Sequence, residues 1–220
     1  MAYRTVIIAG ATGLVGNKIL QGLLADPGVT AVHSLARREA RVQHPKLTTH
    51  IVDFAALPTL PPADEVYLAL GTTIKVAGSQ AAFRAVDYAA NLAVATAALA
   101  AGARRAGLVS AMEANVNSML FYGRVKGELE NALAQMPFEG LLIARPSLLV
   151  GSREAVGQPN RRGEGMGLVL GNALGFLIPA NYRPIEATAV ARALLSSVPT
   201  VRGKKILRSG ELQQGAPRPA

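Results

Sequence analysis

The 220-residue chain contains no cysteine and no tryptophan, and it has only three histidines, His33, His44 and His50. Without cysteine there are no disulfide bonds, no thiolate metal sites and no cysteine nucleophile. Cysteine usage therefore does not indicate whether the protein resides in an oxidising or a reducing compartment. Three histidines offer little for a metal cluster or a histidine-dependent triad, so we expect no metal site. Because 50% of the residues are hydrophobic and 17% are charged, the composition argues against a disordered chain or a coiled coil.

Basic residues exceed acidic ones by nine, but they are dispersed. The densest clusters are pairs such as Arg37-Arg38, Arg104-Arg105, Arg161-Arg162 and Lys204-Lys205. Such pairs are typical of solvated surface, although a basic surface also favours phosphates or nucleic acid. We expect a small-molecule substrate and no nucleic-acid partner, and keep nucleic-acid binding as a third hypothesis.

Targeting and membrane signals are weak. The apolar run Val6–Ala9 is too short for a signal peptide and leads directly into a glycine motif. The alanine-rich stretch from Tyr88 to Ala103 contains Asn91 and Thr96 and is too short to span a bilayer. The sequence therefore predicts a cytoplasmic protein without membrane insertion, as a monomer or a homodimer.

Short apolar runs rich in β-branched residues alternate with longer helical patterns. Continuous apolar strands suit a parallel sheet that is covered on both faces, and the alternation suits right-handed crossovers. We therefore predict an α/β fold, a Rossmann-type doubly wound parallel sheet with helices on both faces. The predicted strands are Val6–Ala9, Ala31–Ala36, Thr48–Val52, Val66–Leu70, Gly107–Ser110 and Leu141–Ala144, and the predicted helices are Leu14–Leu24, Gln80–Ala100 and Leu120–Leu133.

The alternation of strand and helix patterns is interrupted after Pro146. We predict a single domain over residues 1–210, with a small C-terminal elaboration on the substrate side over about 147–200 and a frayed tail over 211–220. A helix over Glu186–Ser197 and a last strand at Lys205–Leu207 complete the pattern. The apolar, glycine-bearing stretch Gly165–Pro179 is compatible with a pocket cover, a subunit contact or core packing, and the sequence does not decide among them.

The segment Gly10–Gly16 reads G-x-x-G-x-x-G where the first strand meets the first helix. A helix N-terminus carries unpaired N–H groups and partial positive charge, which attract a pyrophosphate. Glycines let the backbone turn tightly and approach the ligand, and Gly16 lets the helix pack close to the sheet. Tight turns also collect glycine, but the position at this junction favours dinucleotide binding.

The end of the second predicted strand indicates which dinucleotide is bound. An acidic residue there would favour NAD through the ribose 2′-OH. This chain has Arg37 and Arg38 instead, and two guanidinium groups suit a 2′-phosphate. A solvated basic turn is the alternative, and we predict NADP(H).

Tyr122 and Lys126 share one face of a predicted helix, since they are four residues apart. A nearby ammonium group favours the phenolate form of a tyrosine, which makes the tyrosine a usable acid or base. Ser110 ends the fifth predicted strand, at the sheet edge where ligands bind in such folds. A serine there can donate a hydrogen bond to a substrate carbonyl, or it can merely cap the strand end.

The loop, Ser110 and the Tyr122/Lys126 pair together resemble the short-chain dehydrogenase/reductase superfamily, and within it the atypical Tat-interacting-protein-like NAD(P)H-binding oxidoreductases. The likeness extends from residue 4 to about 208. It is also carried by Arg37-Arg38, Val52-Asp53-Phe54, Leu70-Gly71-Thr72-Thr73, Val86-Asp87-Tyr88, Arg145-Pro146 and Tyr182-Arg183-Pro184-Ile185.

The resemblance implies a role for each matching residue. Tyr122 would be the acid/base, Lys126 its partner, and Ser110 the group that polarises the substrate oxygen. The implied cofactor contacts are Gly10, Thr12, Gly13, Leu14 and Val15 at the pyrophosphate, Arg37 and Arg38 at the 2′-phosphate, Asp53 near the adenine, Leu70 and Gly71 beneath the cofactor, Tyr122 and Lys126 at the nicotinamide end, and Pro146 and Leu149 beside the nicotinamide.

The chain departs from the family pattern around Ser110. Many relatives have two serines where this chain has Ser110-Ala111, and Met112-Glu113 replaces their lysine-glycine. The leading hypothesis is therefore an NADP(H)-dependent oxidoreductase that transfers hydride to or from a small carbonyl or alcohol. The second is a cofactor-bound regulatory or assembly protein with vestigial catalysis.

Overall fold

Seven parallel strands form the central sheet of the computed structural model, which describes residues 3–38, 42–150 and 179–214. The bounds are β1 Arg4–Ala9, β2 Val29–Ala36, β3 Leu47–Ile51, β4 Glu65–Leu68, β5 Arg105–Val109, β6 Gly140–Arg145 and, after the separate short strands β7 Leu149–Val150 and β8 Ile185–Glu186, β9 Gly203–Arg208. The strands of the central sheet lie in the order β3-β2-β1-β4-β5-β6-β9. Every adjacent pair is parallel, from β1–β2 to β6–β9.

Helices cover both faces of this sheet. The described helices are α1 Leu14–Ala25, α2 Ile74–Ala77, α3 Gln80–Arg84, α4 Asn91–Ala100, α5 Phe121–Ala134, α6 Ala187–Ser197 and α7 Ser209–Gln214. On one face α1 and α6 pack on the sheet through a cluster that includes Ile19, Leu23 and Leu194. On the other face α4 and α5 pack through a second cluster that includes Val94, Leu129 and Leu133.

The chain reverses direction across the sheet between β1 and β4. It first builds outward from β1 through β2 to β3 and then returns to place β4 on the other side of β1. The carboxyl ends of β1 and β4 therefore flank a crevice, and ligands bind at such a switch point in open α/β sheets. The predicted fold is confirmed, and it directs attention to the loops after β1, β4, β5 and β6.

Several elements differ in detail from their predictions. The predicted helix over Gln80–Ala100 is divided into α3, a π-helical segment over Ala85–Ala90 and α4. The chain is still helical at 211–214, where we predicted a frayed tail, because Leu212 at the centre of α7 is buried in the core. Residues 215–220 lie outside the described residues.

The structure describes only part of the region 147–200 that we predict as a C-terminal elaboration. Two short parallel strands, β7 Leu149–Val150 and β8 Ile185–Glu186, pair beside the main sheet, and 3-10 turns occupy Ala180–Tyr182 and Val198–Thr200. Residues 151–178, and with them nearly all of the Gly165–Pro179 stretch, lie outside the described residues. Among the helices that are described, none combines the length and apolar character needed to cross a membrane.

Candidate functional site

The junction of β1 and α1 is closed by backbone contacts that only glycine permits. Gly10 has φ +90°, and a Cβ placed on it would lie 2.3 Å from the carbonyl oxygen of Ala69. A Cβ on Gly16 would lie 2.0 Å from the carbonyl oxygen of Gly10. The loop after β1 is therefore pressed against both the loop after β4 and the first turn of α1.

The first turn of α1 is open to an anion. Gly13 is the N-cap residue and has no side chain with which to cap the helix, and the first turn contains no acidic residue. Helix N-termini of this kind bind phosphate through their free N–H groups. The predicted pyrophosphate contacts Thr12, Gly13, Leu14 and Val15 all lie at this turn, and the backbone fits a dinucleotide.

Arg37 and Arg38 are exposed and directly follow Ala36, the last residue of β2. Asp53, in the loop after β3, is exposed, and its Oδ1 accepts a hydrogen bond of 2.9 Å from the N–H of Ala55. This turn occupies one carboxylate oxygen. An apolar groove begins next to Asp53 and is lined by Phe54, Ala55, Leu57, Tyr88, Ala89, Leu92, Ala93, Thr96, Ala97 and Ala100.

Side chains from the neighbouring helix hold the loop after β4. The amide Nδ2 of Asn91 donates to the carbonyl of Leu70 at 3.1 Å, and the N–H of Thr72 donates to Asp87 Oδ2 at 2.8 Å. Both Asp87 and Asn91 are fully buried. The predicted cofactor residues Leu70 and Gly71 therefore sit on a fixed polar support.

Tyr122 and Lys126 lie on one face of α5, as predicted. The ring of Tyr122 packs against Phe83, with 5.5 Å between the ring centroids. The ammonium of Lys126 is buried and forms an ion pair of 2.8 Å with Asp87. Burial lowers the pKa of Lys126, but the charges of Asp87 and the other neighbours outweigh it and raise the pKa above the usual lysine value.

Ser110 is buried, and its hydroxyl donates to Glu130 Oε1 at 2.5 Å. Arg145 grips the same carboxylate through Nε at 3.0 Å and Nη2 at 2.5 Å. An arginine-paired carboxylate only accepts hydrogen bonds, so the serine hydrogen must point at Glu130. In this structure the hydroxyl is therefore bonded to Glu130, and donation from Ser110 to a substrate carbonyl stays a prediction.

The remaining predicted residues lie at the end of β6. Pro146 is buried directly after Arg145, and its carbonyl accepts the N–H of Met112 at 2.9 Å. Leu149 is half-buried in β7. Both follow the strand beside β5, so they lie at the same edge of the sheet as Ser110 and the glycine loop.

The structure thus brings most predicted residues to one edge of the sheet and adds a residue that the sequence interpretation missed. Glu130 follows Lys126 by four residues, so its place on the face of Tyr122 and Lys126 was readable from helical spacing. Its partners Ser110 and Arg145 were not readable in that way. Within the described ranges, no group of three or more histidine or carboxylate side chains is arranged to hold a metal ion.

Solved structures with this fold include an oxidoreductase and a UDP-N-acetylglucosamine 4-epimerase. An oxidoreductase of the short-chain dehydrogenase/reductase family from Burkholderia thailandensis superposes with a TM-score of 0.67 at 19% identity, covering 96% of this chain and 94% of that one. MoeE5 in complex with UDP-glucuronic acid and NAD gives a TM-score of 0.67 at 17% identity, covering 92% and 75%. The chain therefore has the fold of this superfamily.

A relative with a similar sequence shows to which family the chain belongs. The mitochondrial protein FMP52 of Coccidioides immitis is 36% identical over 212 residues, which are 88% of this chain and 85% of that protein. The chain belongs to the FMP52 family. No family model matches the sequence.

Two expectations change with this result. The relative from Coccidioides immitis carries the name FMP52 rather than that of the Tat-interacting-protein-like branch, so the fold of the broader superfamily is supported and this branch is not. The predicted cytoplasmic location is contradicted, because relatives from three fungi are named mitochondrial proteins.

Proposed function

We propose that the protein is an NADP(H)-dependent oxidoreductase acting on a small carbonyl or alcohol. The observation that carries the proposal is the Tyr122/Lys126 pair on α5, with the ammonium of Lys126 held beside Asp87 and the loop of Gly71. A tyrosine with a fixed neighbouring ammonium is suited to exchange a proton with a substrate oxygen. The N-terminus of α1, where Gly13 is the N-cap residue, and the two exposed arginines after β2 support the proposal that the protein binds NADP(H).

Each group of the chain has a separate task in the proposed reaction. The bound nicotinamide nucleotide would supply or accept the hydride. Tyr122 gives its phenolic proton to the substrate oxygen during reduction, or takes a proton from an alcohol during oxidation. Lys126 holds positive charge next to the phenol and binds the nicotinamide ribose, while Arg37 and Arg38 bind the 2′-phosphate.

Replacing the phenol tests this mechanism. Tyr122→Phe should abolish turnover across a panel of small carbonyls with NADPH while leaving NADPH affinity nearly unchanged, because the ring packing against Phe83 remains. Tyr3→Phe is the control, since Tyr3 is exposed and precedes β1 at the opposite edge of the sheet. Equal activity of Tyr122→Phe and the wild type on every accepted substrate would remove the mechanism.

A second function is a nucleotide-bound regulatory or assembly protein without catalysis. It is favoured by one observation: the hydroxyl of Ser110 is bonded to Glu130, and Ala111 follows it, so neither residue offers a free hydroxyl at the end of β5. This function predicts tight NADPH binding, no NADPH oxidation with any carbonyl in the panel, and a partner protein recovered with the chain.

A further inference from the structure

Asp87 connects two parts of the site that are far apart in the sequence. Its Oδ1 lies 2.8 Å from Lys126 Nζ on α5, and its Oδ2 accepts the N–H of Thr72, after β4, at 2.8 Å. The side chains of Asp87 and Lys126 are 1% and 5% exposed. Each carboxylate oxygen therefore has its own partner, and water has little access to the ion pair.

The backbone places Asp87 in this position. It lies in the π-helical segment Ala85–Ala90, and its own carbonyl accepts Asn91 Nδ2 at 3.1 Å. The same amide also donates to the carbonyl of Leu70, so Asn91 fixes the support for both the loop and Asp87. A Cβ on Gly71 would lie 3.6 Å from Asp87 Oδ1 and 3.9 Å from Lys126 Nζ. The loop therefore lies directly against the ion pair.

The charged and titratable groups around Lys126 come from two elements. Asp87 faces it from the π-helical segment, and Tyr122 and Glu130 face it from its own helix. Glu130 is already neutralised by Arg145, so Asp87 is the carboxylate that is left to compensate Lys126. Without compensation, burial would strongly favour loss of the proton from Lys126.

We propose that Asp87 is a positioning residue that keeps Lys126 charged and couples it to the loop Gly71–Thr72. This rests on the proposed function, in which Lys126 serves Tyr122 and the loop lies beneath the nucleotide. An amide at this position supplies one acceptor oxygen, whereas both Thr72 and Lys126 need one. Replacement by asparagine therefore breaks one contact and also removes the compensating charge.

The test is an NMR titration of the lysine side-chain ammonium groups in Asp87→Asn and in the wild type, both without nucleotide. The signal of Lys126 is assigned as the one that is missing in Lys126→Met. The pKa of Lys126 should fall below its wild-type value, because the opposite charge of Asp87 at this distance favours the protonated ammonium. The matched control is Glu128→Gln. It also removes a carboxylate from this region, but Glu128 pairs with Arg84 and is 31% exposed, so Lys126 should titrate as in the wild type.

An unchanged titration of Lys126 in folded Asp87→Asn would overturn the proposal, as would an equal fall in Glu128→Gln. If Asp87→Asn does not fold, the double variant Asp87→Asn/Lys126→Met decides. It has no buried charge to compensate, so it should fold, and it should unfold at a higher temperature than Lys126→Met, which leaves Asp87 buried without its partner. A double variant that does not fold, or that unfolds at a lower temperature than Lys126→Met, would overturn the coupling.

A second readout separates this proposal from the proposed function. NADPH affinity, measured by fluorescence, should be about tenfold weaker in Asp87→Asn than in Glu128→Gln, because the loop has lost an anchor. If wild-type protein binds no nicotinamide nucleotide, the proposed function fails while the Lys126 titration still reports on the ion pair. If wild-type protein binds NADPH but Asp87→Asn titrates normally, only the positioning role fails.

Discussion

Replacing Ser110 by alanine should cost stability rather than catalysis. The hydroxyl of Ser110 donates to Glu130 in the interior, and Glu130 is 4% exposed. Removing a hydrogen bond to a charged group costs about 2 kcal/mol of the free energy of unfolding. For a chain of this length that corresponds to a fall of roughly 4–8 °C in the melting temperature. Arg145 still holds Glu130 in the variant, so we expect a folded protein.

The catalytic prediction for Ser110 gives a different pattern. A donor that stabilises developing negative charge on a substrate oxygen contributes about 100-fold or more to kcat. If the hydroxyl is committed to Glu130, Ser110→Ala should change kcat by no more than a few-fold. Thermal unfolding and NADPH oxidation, measured on the same preparation, separate the two interpretations.

Ser34→Ala provides a matched control. Ser34 is also buried in a strand, at 1% exposure, but its hydroxyl has no hydrogen-bond partner among the described residues. Removing an unpaired buried hydroxyl should leave stability unchanged or raise it. The reasoning fails if Ser110→Ala melts at the wild-type temperature, or if the two serine variants lose equal stability. A loss of kcat near 100-fold would restore the catalytic role.

Three further predictions concern the rest of the molecule. Gly16→Ala should destabilise the fold by about 3 kcal/mol and abolish NADPH binding, because its Cβ would collide with the carbonyl of Gly10. In the control Gly22→Ala the new Cβ meets only the end of the Leu195 side chain, so calorimetry should show a smaller loss of stability. Similar losses of stability in the two variants would contradict the prediction. Replacing Arg37 and Arg38 by alanine should weaken NADPH binding about tenfold and leave NADH binding unchanged, as measured by fluorescence, and an equal loss for both nucleotides would contradict recognition of the 2′-phosphate. Burial raises the pKa of Glu65, so the folded state binds the proton more tightly than the unfolded state. The contribution of Glu65 to stability therefore falls as pH rises from the ordinary glutamate pKa through the raised one. The unfolding free energy of the wild type relative to Glu65→Gln should fall over that pH window, and a difference that does not change with pH would refute the prediction.

The sequence carried enough information to predict the sheet because its signals are local. Apolar runs such as Val6–Ala9 and Leu141–Ala144 fall within observed strands, and the periodicity of Leu14–Leu24 falls within α1. The glycine spacing also indicated the tight β1–α1 junction. The place of β9 beside β6 depends on long-range pairing, which no local pattern encodes.

The contact between Ser110 and Glu130 shows why the site was only partly predictable. Leu108 pairs with Ile143 in the β5–β6 register, and both side chains belong to the core on the α5 side. Side chains alternate along a strand, so Ser110 and Arg145, two residues further on, face the same helix. Glu130 lies on the inner face of that helix and meets them there. Position at the strand end indicated an edge open to ligand, but the side-chain direction that commits the hydroxyl to Glu130 depends on the register of β5 and β6 and on the packing of α5.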